Sequence, residues 1–337
     1  MNIQNLFERI SKLKVGIVGD VMLDTYMWGS VERISPEAPV PIVTMQKKEQ
    51  RMGGAGNVAL NIQSLHAQAF VVTVFGDDIE ATCLRELFDF NQINSTYSFK
   101  SSDRITTNKT RIISRNQQMM RLDSEVTKDL NHLEQEKLIS TFEEFVKKEK
   151  PQVVILQDYN KGVLTEAVIE NVVSICRNND ILTAVDPKRK NFFQYKAVDI
   201  FKPNLKEAKE ALNIISTQVD LQSLRSIHQA LQAVLQHRIS FITLSEKGVF
   251  YQQENDAALI PSHIRNIADV SGAGDTVIAT AALIYAATGD VELMAEIANI
   301  AGGLVCEEVG TAAIDKEKLL HECKLLVTLN AKEEIFK

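Results

Sequence analysis

Four cysteines, Cys83, Cys176, Cys306 and Cys323, are spread over 337 residues with no CxxC spacing between any two. That argues against a disulfide framework and for reduced, mostly buried thiols in a cytoplasmic protein. Positive charge is not in excess: Lys and Arg number 37 against 44 Asp and Glu, a formal net charge of −7. Nothing global then attracts nucleic acid or an anionic membrane, and a negatively charged substrate requires a locally basic pocket. No apolar run reaches bilayer-spanning length. The stretch Asn5 to Lys14 is charged and amphipathic, unlike a secretory signal. No repeat, low-complexity tract or long linker interrupts the chain. No G-x-G-x-x-G follows the first strand, which weighs against a nucleotide-binding oxidoreductase. What is left, with 45% hydrophobic residues, is the composition of a globular protein with room for a sizeable core.

The short apolar run Val15 to Gly19 reads as a buried strand, followed by Asp20 and Asp24. Ligands of open α/β sheets sit beyond the carboxyl ends of strands, where two carboxylates can bind sugar hydroxyls or simply face water. Ile34 to Val43 carries three prolines among apolar residues, which excludes a helix and suits a flap standing off the main sheet. Gly53-Gly-Ala-Gly-Asn57 leads into a helical pattern. Gly53 and Gly54 allow close approach of backbone to a ligand, and Asn57 offers both a donor and an acceptor. Arg104 to Asp123 reads as a hairpin with a polar turn at Ser114–Gln118, pairing with the flap as a lid and carrying Arg111, Arg115 and Arg121.

From residue 153 onward the rhythm is strand and helix in alternation. Strands are expected at Val153–Leu156, Leu182–Val185, Asp199–Lys202 and Ser240–Leu244. Helices are expected between them and at Ala273–Ala287, Val291–Val309 and Asp315–Leu329. This predicts an α/β fold: a doubly wound, mainly parallel sheet flanked by helices. One domain over residues 1–337 is the economical reading, with lid segments at about 25–52 and 100–123 inserted.

The richest stretch is Asp269-Val-Ser-Gly-Ala-Gly-Asp275. A Gly-rich turn opening a helix presents free N–H groups backed by the positive end of the helix dipole, an anion site. An aspartate there would repel a phosphate. Either Asp275 is an ordinary acidic residue near a helix start, or it takes a proton from a hydroxyl while the amides of Gly272, Ala273 and Gly274 stabilise a transferring phosphoryl group.

Taken in order along the chain, Gly53 to Asn57, Asn204-Leu-Lys-Glu207 and Asp269 to Asp275 resemble the signatures of the PfkB, or ribokinase-like, carbohydrate kinases. Gly19-Asp-Val-Met-Leu-Asp24, Arg33 to Pro41, Ser114 to Gln118 and Asp186-Pro-Lys188 are similar to the kinase part of bacterial heptose-phosphate kinases. The resemblance implies an ATP-dependent kinase of D-glycero-β-D-manno-heptose 7-phosphate. Such an enzyme phosphorylates the anomeric hydroxyl on the route to ADP-heptose and the lipopolysaccharide core. It implies Asp275 as base, Asp24, Gly53, Gly54 and Asn57 (with Asp20 beside them) at the sugar, and Asn204 and Glu207 ordering Mg²⁺ and ATP, Glu207 being the metal residue. Ser245, Lys247, Gly248 and Asn299 would lie at the nucleotide. It admits a monovalent cation and a homodimer paired through the lid. None of the six histidines lies in an H-x-G-H motif, so no nucleotidyltransferase domain is expected and adenylylation would fall to another protein. The usual Thr of the last signature is Ser271 here. A phosphorylated acceptor would be gripped by cations outside the ATP site, chosen from Arg111, Arg115, Lys161 and Lys188. Other sugars (fructose, ribose, a nucleoside) and a non-catalytic sugar- or nucleotide-binding regulator remain as alternatives.

Overall fold

The structure, a computed structural model, describes residues 3–115, 117–263 and 265–335, with side chains described as far as residue 325. In chain order the elements begin with α1 (Ile3–Ile10), β1 (Lys14–Gly19), β2 (Val21–Ile34), β3 (Pro41–Gly54), α2 (Ala55–Ser64), β4 (Gln68–Val72) and β5 (Val74–Gly76). Then come α3 (Ile79–Phe90), β6 (Phe99–Ser101), β7 (Thr107–Ser114), β8 (Gln117–Ser124), α4 (His132–Glu149), β9 (Val153–Gln157), α5 (Glu166–Asn178) and β10 (Leu182–Asp186). The chain continues with β11 (Ile200–Phe201), α6 (Leu205–Ala211), α7 (Leu221–Leu235), β12 (Ile239–Thr243), β13 (Val249–Gln253) and β14 (Asp256–Ile260). It finishes with α8 (Ala273–Thr288), α9 (Val291–Val305) and α10 (Lys316–Ile335).

Eight strands form the main sheet in the order β14-β13-β12-β11-β10-β9-β1-β4. The pairings from β4 to β12 are parallel, and β13 and β14 close one edge antiparallel. The strands are nearly continuous apolar runs because both faces are covered. Period-two alternation sends Val15, Ile17, Val153 and Ile155 to one core, with α1, α2 and α8–α10. Val18, Val154 and Leu156 go to the other, with α4, α5 and α7. This is the predicted doubly wound fold. Gly16 is glycine for packing, since a Cβ there would lie 2.6 Å from the Phe145 ring.

A second, four-stranded sheet has the order β3-β2-β7-β8. The hairpin does join a second sheet, but through Met22–Gly29 of β2, which runs parallel to β7, and not through the proline-rich flap expected at Ile34–Val43. The prolines sit mostly in the 35–40 connection between two 14-residue strands, and Asp24 lies within β2 rather than in a loop. Asn116, in the predicted turn, lies outside the described residues. The apolar run 69–75 forms two strands, β4 and β5, parted at Thr73, whose hydroxyl donates to Gly19 O at 2.7 Å. The segment β5 leaves the main sheet and pairs with β6. The sequence reading passed over α3, α4, β6 and β14, and it carried the helix from Val291 four residues too far. No helix among the described residues is long and apolar enough to cross a membrane.

Candidate active site

At the carboxyl ends of β1, β9, β10 and β11, on one side of the main sheet, Gln157, Asp186 and Lys202 gather buried around Asp275. The centre is Asp275, in the first turn of α8 and 3% exposed. Gly272 opens that helix with φ 80, and a Cβ on it would press to 2.7 Å from Asn57 Nδ2. Only glycine takes that backbone so close to another side chain without strain. Asp269 braces the turn by accepting from Ser271 N, Ser271 Oγ and Gly310 N at 2.8–2.9 Å. Ser271 supplies there the hydroxyl that the signature's usual Thr would. Ala273 N reaches Val270 O at 3.3 Å and Thr276 N reaches Gly272 O at 3.1 Å. The amides of Gly274 and Asp275 therefore lack a backbone acceptor. This thins the expected anion hole: Ala273 is already engaged, whereas the Gly272 amide, like those of Gly274 and Asp275, has no backbone acceptor among the described residues.

Asp275 accepts three hydrogen bonds. Asn57 Nδ2 donates to Oδ2 at 2.9 Å, and Gln157 Nε2 (2.9 Å) and Tyr159 OH (2.8 Å) donate to Oδ1. Burial raises the carboxyl to about 6, with the nearby Asp186 adding to the rise while Asn57, Tyr159 and Lys202 oppose it. That is a value suited to a base working near neutral pH.

Beside it runs a chain of alternating charge. Lys202 Nζ lies 3.0 Å from Asp186 Oδ2, and Lys188 Nζ lies 3.1 Å from Asp186 Oδ1 and 2.7 Å from Glu207 Oε1. Burial alone would raise Asp186, but the two lysines outweigh it and hold the carboxyl below its usual range. Glu207 Oε2 accepts from Asn204 N at 2.8 Å, and Asn204 Oδ1 accepts from Glu207 N at 2.8 Å, a reciprocal cap on α6. Both Glu207 oxygens are thus engaged, so the expected metal residue is not a bare ligand. Lys188, expected at the acceptor's phosphate, is shared between two carboxylates next to Asn204 instead. No cluster of three or more metal-ligating side chains occurs among the described residues.

On the side of the small sheet, Arg111 Nη1 lies 2.5 Å from Asp24 Oδ1, both largely buried. A Cβ on Gly53 would collide with the other Asp24 oxygen, and one on Gly54 with Asp20 O. Asp20 is a correction. Its carboxylate is 1% exposed and accepts from the amides of Tyr159, Lys161 and Val163 at 2.9–3.1 Å, so it shapes the loop after β9 rather than meeting a ligand. Lys161 is paired with Glu125 at 2.8 Å. Arg115 is exposed at the hairpin end with φ 49, six residues along β7–β8 from Lys109 and away from the centre.

Beside the N-terminus of α6 a cleft of about 1060 Å³ is lined by Arg189, Asn204, Lys206, Lys209, Ser245 and Lys247, among others. It gathers Asn204, Ser245 and Lys247 as expected. Gly248 has φ 95, and a Cβ there would collide with Ile260 O. Asn299 does not line this cleft; from α9 it donates to Pro261 O at 2.8 Å and fixes the segment after β14.

Four residues of the site escaped the sequence reading: Gln157, Tyr159, Lys202 and Lys109. The first three stand at or just past strand ends, a signal that was available but not used. Lys109 is half-buried on β7, and no ion pair to it is found among the described residues, while burial lowers its ammonium.

The pfkB family carbohydrate kinase model matches residues 12–318. The chain is 36% identical over 335 residues to the Bifunctional protein HldE of Aliarcobacter butzleri (strain RM4018), covering 97% of this chain and 69% of that protein. It is 35% identical over 324 residues to its counterpart in Syntrophotalea carbinolica, covering 95% and 65%. The chain thus spans about two thirds of the length of these relatives. In fold it is similar to phosphofructokinase-2 from Escherichia coli in complex with potassium (TM-score 0.76, 18% identity, 92% of this chain and 99% of that one). The ribokinase of Arabidopsis thaliana complexed with ribose and ATP is also similar (TM-score 0.69, 15% identity, 92% and 99%). With a family match over most of its length and a buried carboxylate set against open helix amides, the chain belongs to the pfkB family and is an ATP-dependent carbohydrate kinase.

Proposed function

We propose that the acceptor is D-glycero-β-D-manno-heptose 7-phosphate and that the product is the 1,7-bisphosphate, a precursor of ADP-heptose for the lipopolysaccharide core. The observation that carries a kinase reading of this site is Asp275, a buried carboxylate raised to about 6 at the mouth of α8 beside two open amides. The heptose assignment is supported by the HldE relatives and by the cations near Asp24.

In this reading the anomeric hydroxyl gives its proton to Asp275 as its oxygen bonds to the γ-phosphorus. The bond from that phosphorus to the β-bridging oxygen breaks, and ADP leaves. The amides of Gly274 and Asp275, with Lys202 behind them, offset the charge on the transferring group. Phosphoryl transfer needs little more from a protein than positioning and charge stabilisation. Asp24, Gly53, Gly54 and Asn57 orient the sugar. Of the cations around it, Arg111, Lys161 and Lys188 are already matched by carboxylates, so Lys109 is the better grip for the acceptor's phosphate. ATP would occupy the face bounded by Asn204, Ser245, Lys247 and Gly248. The donors fit Mg²⁺ held mainly by nucleotide phosphates and water, with Glu207 and Asp186 behind the water. The cation would neutralise charge on the phosphates.

The small sheet would serve as the lid of one kinase unit, excluding water from the reaction. Its exposed Met120 and Leu122 share a face with Met27 and Ile112, and pairing that face with a second copy would bury these side chains and give a homodimer. The reaction draws on cytoplasmic ATP. The test is an ADP-release assay over a panel of sugars and sugar phosphates. Heptose 7-phosphate should give the highest kcat/KM, and a preference for an unphosphorylated hexose, pentose or nucleoside would overturn the assignment.

A further inference from the structure

Asp275 already accepts three hydrogen bonds, two of them on Oδ1, and as a base it must receive a proton from one more hydroxyl. Of its three donors, Asn57 and Gln157 are fully buried on α2 and at the end of β9, with no room to withdraw. Tyr159 differs. It is partly exposed, on the loop after β9. Its own amide, like those of Lys161 and Val163, is tied to Asp20, so the backbone is fixed and only the side chain is left to turn. Two ammonium groups lie over the ring, Lys109 Nζ from β7 and Lys188 Nζ from beyond β10, each 5.6 Å from its centroid. Such contacts hold a ring in place while both cations remain there.

We propose that the Tyr159 hydroxyl is a placeholder: before the acceptor binds, it occupies the position on Asp275 Oδ1 that the reacting sugar hydroxyl takes in the productive complex, so the base stays capped until a sugar displaces it. This rests on the sugar-kinase reading above. An uncapped Asp275 beside bound ATP would accept a proton from water. The water oxygen would bond to the γ-phosphorus, the bond to the β-bridging oxygen would break, and ADP and phosphate would form with the proton on Asp275. The cap suppresses that loss. Its release follows from the same geometry, because a phosphorylated acceptor that claims Lys109 removes one of the two cations over the ring.

The test is Tyr159→Phe, which keeps the ring and both lysine contacts and removes only the hydroxyl. The other groups facing Asp275 (Asp186 from β10, Lys202 after β11, Asn57, Gln157) and those facing Tyr159 (Lys109, Lys188, Asp24) are unchanged. ATP hydrolysis without acceptor should rise about tenfold relative to wild type. The Tyr159 hydrogen bond lowers the Asp275 pKa, so its loss raises it. The acid limb of kcat/KM for the sugar reports the free enzyme and should move to higher pH. The acid limb of kcat reports the complex, in which the tyrosine has already left, and should not move. A purely structural tyrosine would not separate the two limbs. Equal movement of both limbs makes Tyr159 a permanent donor and overturns the inference, as does unchanged acceptor-free hydrolysis. Those results leave the kinase reading standing, whereas wild-type protein that phosphorylates no sugar removes both.

Discussion

Asn57 Nδ2 donates to Asp275 Oδ2 at 2.9 Å across 218 positions of sequence. One bond thereby joins the Gly-rich turn before α2 to the Gly-rich turn before α8. A second tie backs it: Asn61 Oδ1 accepts from Thr276 Oγ1 and from Ile314 N, each at 3.0 Å. The two helices are locked at their N-terminal ends, and the position of the base is set by both signatures together.

Asp275→Asn should leave the protein folded and lower kcat by roughly 10²–10⁴-fold. In the wild-type protein the base must be ionised to act, so kcat/KM should fall as pH drops below about 6. For stability the sign is reversed. A carboxyl whose pKa is raised by folding binds its proton more tightly in the native state. Its contribution therefore becomes more favourable as pH falls from about 6 toward the unfolded value. Activity and melting profiles of both proteins between pH 4 and pH 8 check this.

Gly274→Pro removes an amide that has no backbone acceptor. The added Cβ would meet Lys202 Nζ at 3.7 Å and Asp186 Oδ2 at 3.8 Å, ordinary contact distances. Proline is tolerated in the first turn of a helix, so native-like circular dichroism is expected with kcat down roughly 10²–10³-fold. Unchanged turnover would mean that the phosphoryl group is not stabilised at this helix end.

Glu207→Gln retains the capacity to cap α6, because glutamine serves at that position as glutamate does. It removes the charge that Lys188 and the Mg²⁺-bound waters would meet. The magnesium concentration for half-maximal rate should rise roughly tenfold, with the acceptor's KM nearly constant. A magnesium titration superimposable on wild type removes Glu207 from the metal's surroundings.

Met120→Asp with Leu122→Asp places two charges on the apolar face of the small sheet, at side chains that are 55% and 52% exposed in the single chain. Sedimentation should show a dimer for wild type and a monomer for the double variant. A monomeric wild type would reject pairing through this sheet.

His228 Nδ1 and His237 Nε2 share the Ser240 hydroxyl at 2.9 and 2.6 Å, and burial lowers both, His237 to about 3. A histidine depressed by folding stabilises the native state above its unfolded pKa, and that stability is lost as pH falls through 6.5. By pH 5 the loss at His237 should be about 2 kcal/mol. Denaturant titrations of wild type and His237→Gln should converge as pH drops; parallel profiles would place the acid sensitivity elsewhere.

Much of the fold was legible because its local signals agree. Buried parallel strands write themselves as apolar runs, and the helices after them as 3.6-residue patterns. Two turns need conformations that only glycine adopts easily, so Gly54 (φ 59) and Gly272 (φ 80) announced the helix starts at the site. The elements passed over are those whose pattern is weak at short range. They include β6, three residues long, β14, an exposed edge strand, and α4, whose outward face is heavily charged.

The sequence by itself determined the alternation of strands and helices after residue 153, the two glycine turns, and the identity of Asp275 and Asn57 as the groups that stand beside them. Which charged residues are free to act was decided only by the tertiary structure. Asp20, Lys161 and Lys188 are as acidic or basic as any ligand on paper, but folding matches Asp20 to three amides, Lys161 to Glu125, and Lys188 to Asp186 and Glu207. Tyr159 carries no motif, yet the loop pinned by Asp20 delivers its hydroxyl to the base. The physical reason is that a side chain's charge is local to its residue, whereas its availability depends on partners brought close by the fold from distant positions in the chain.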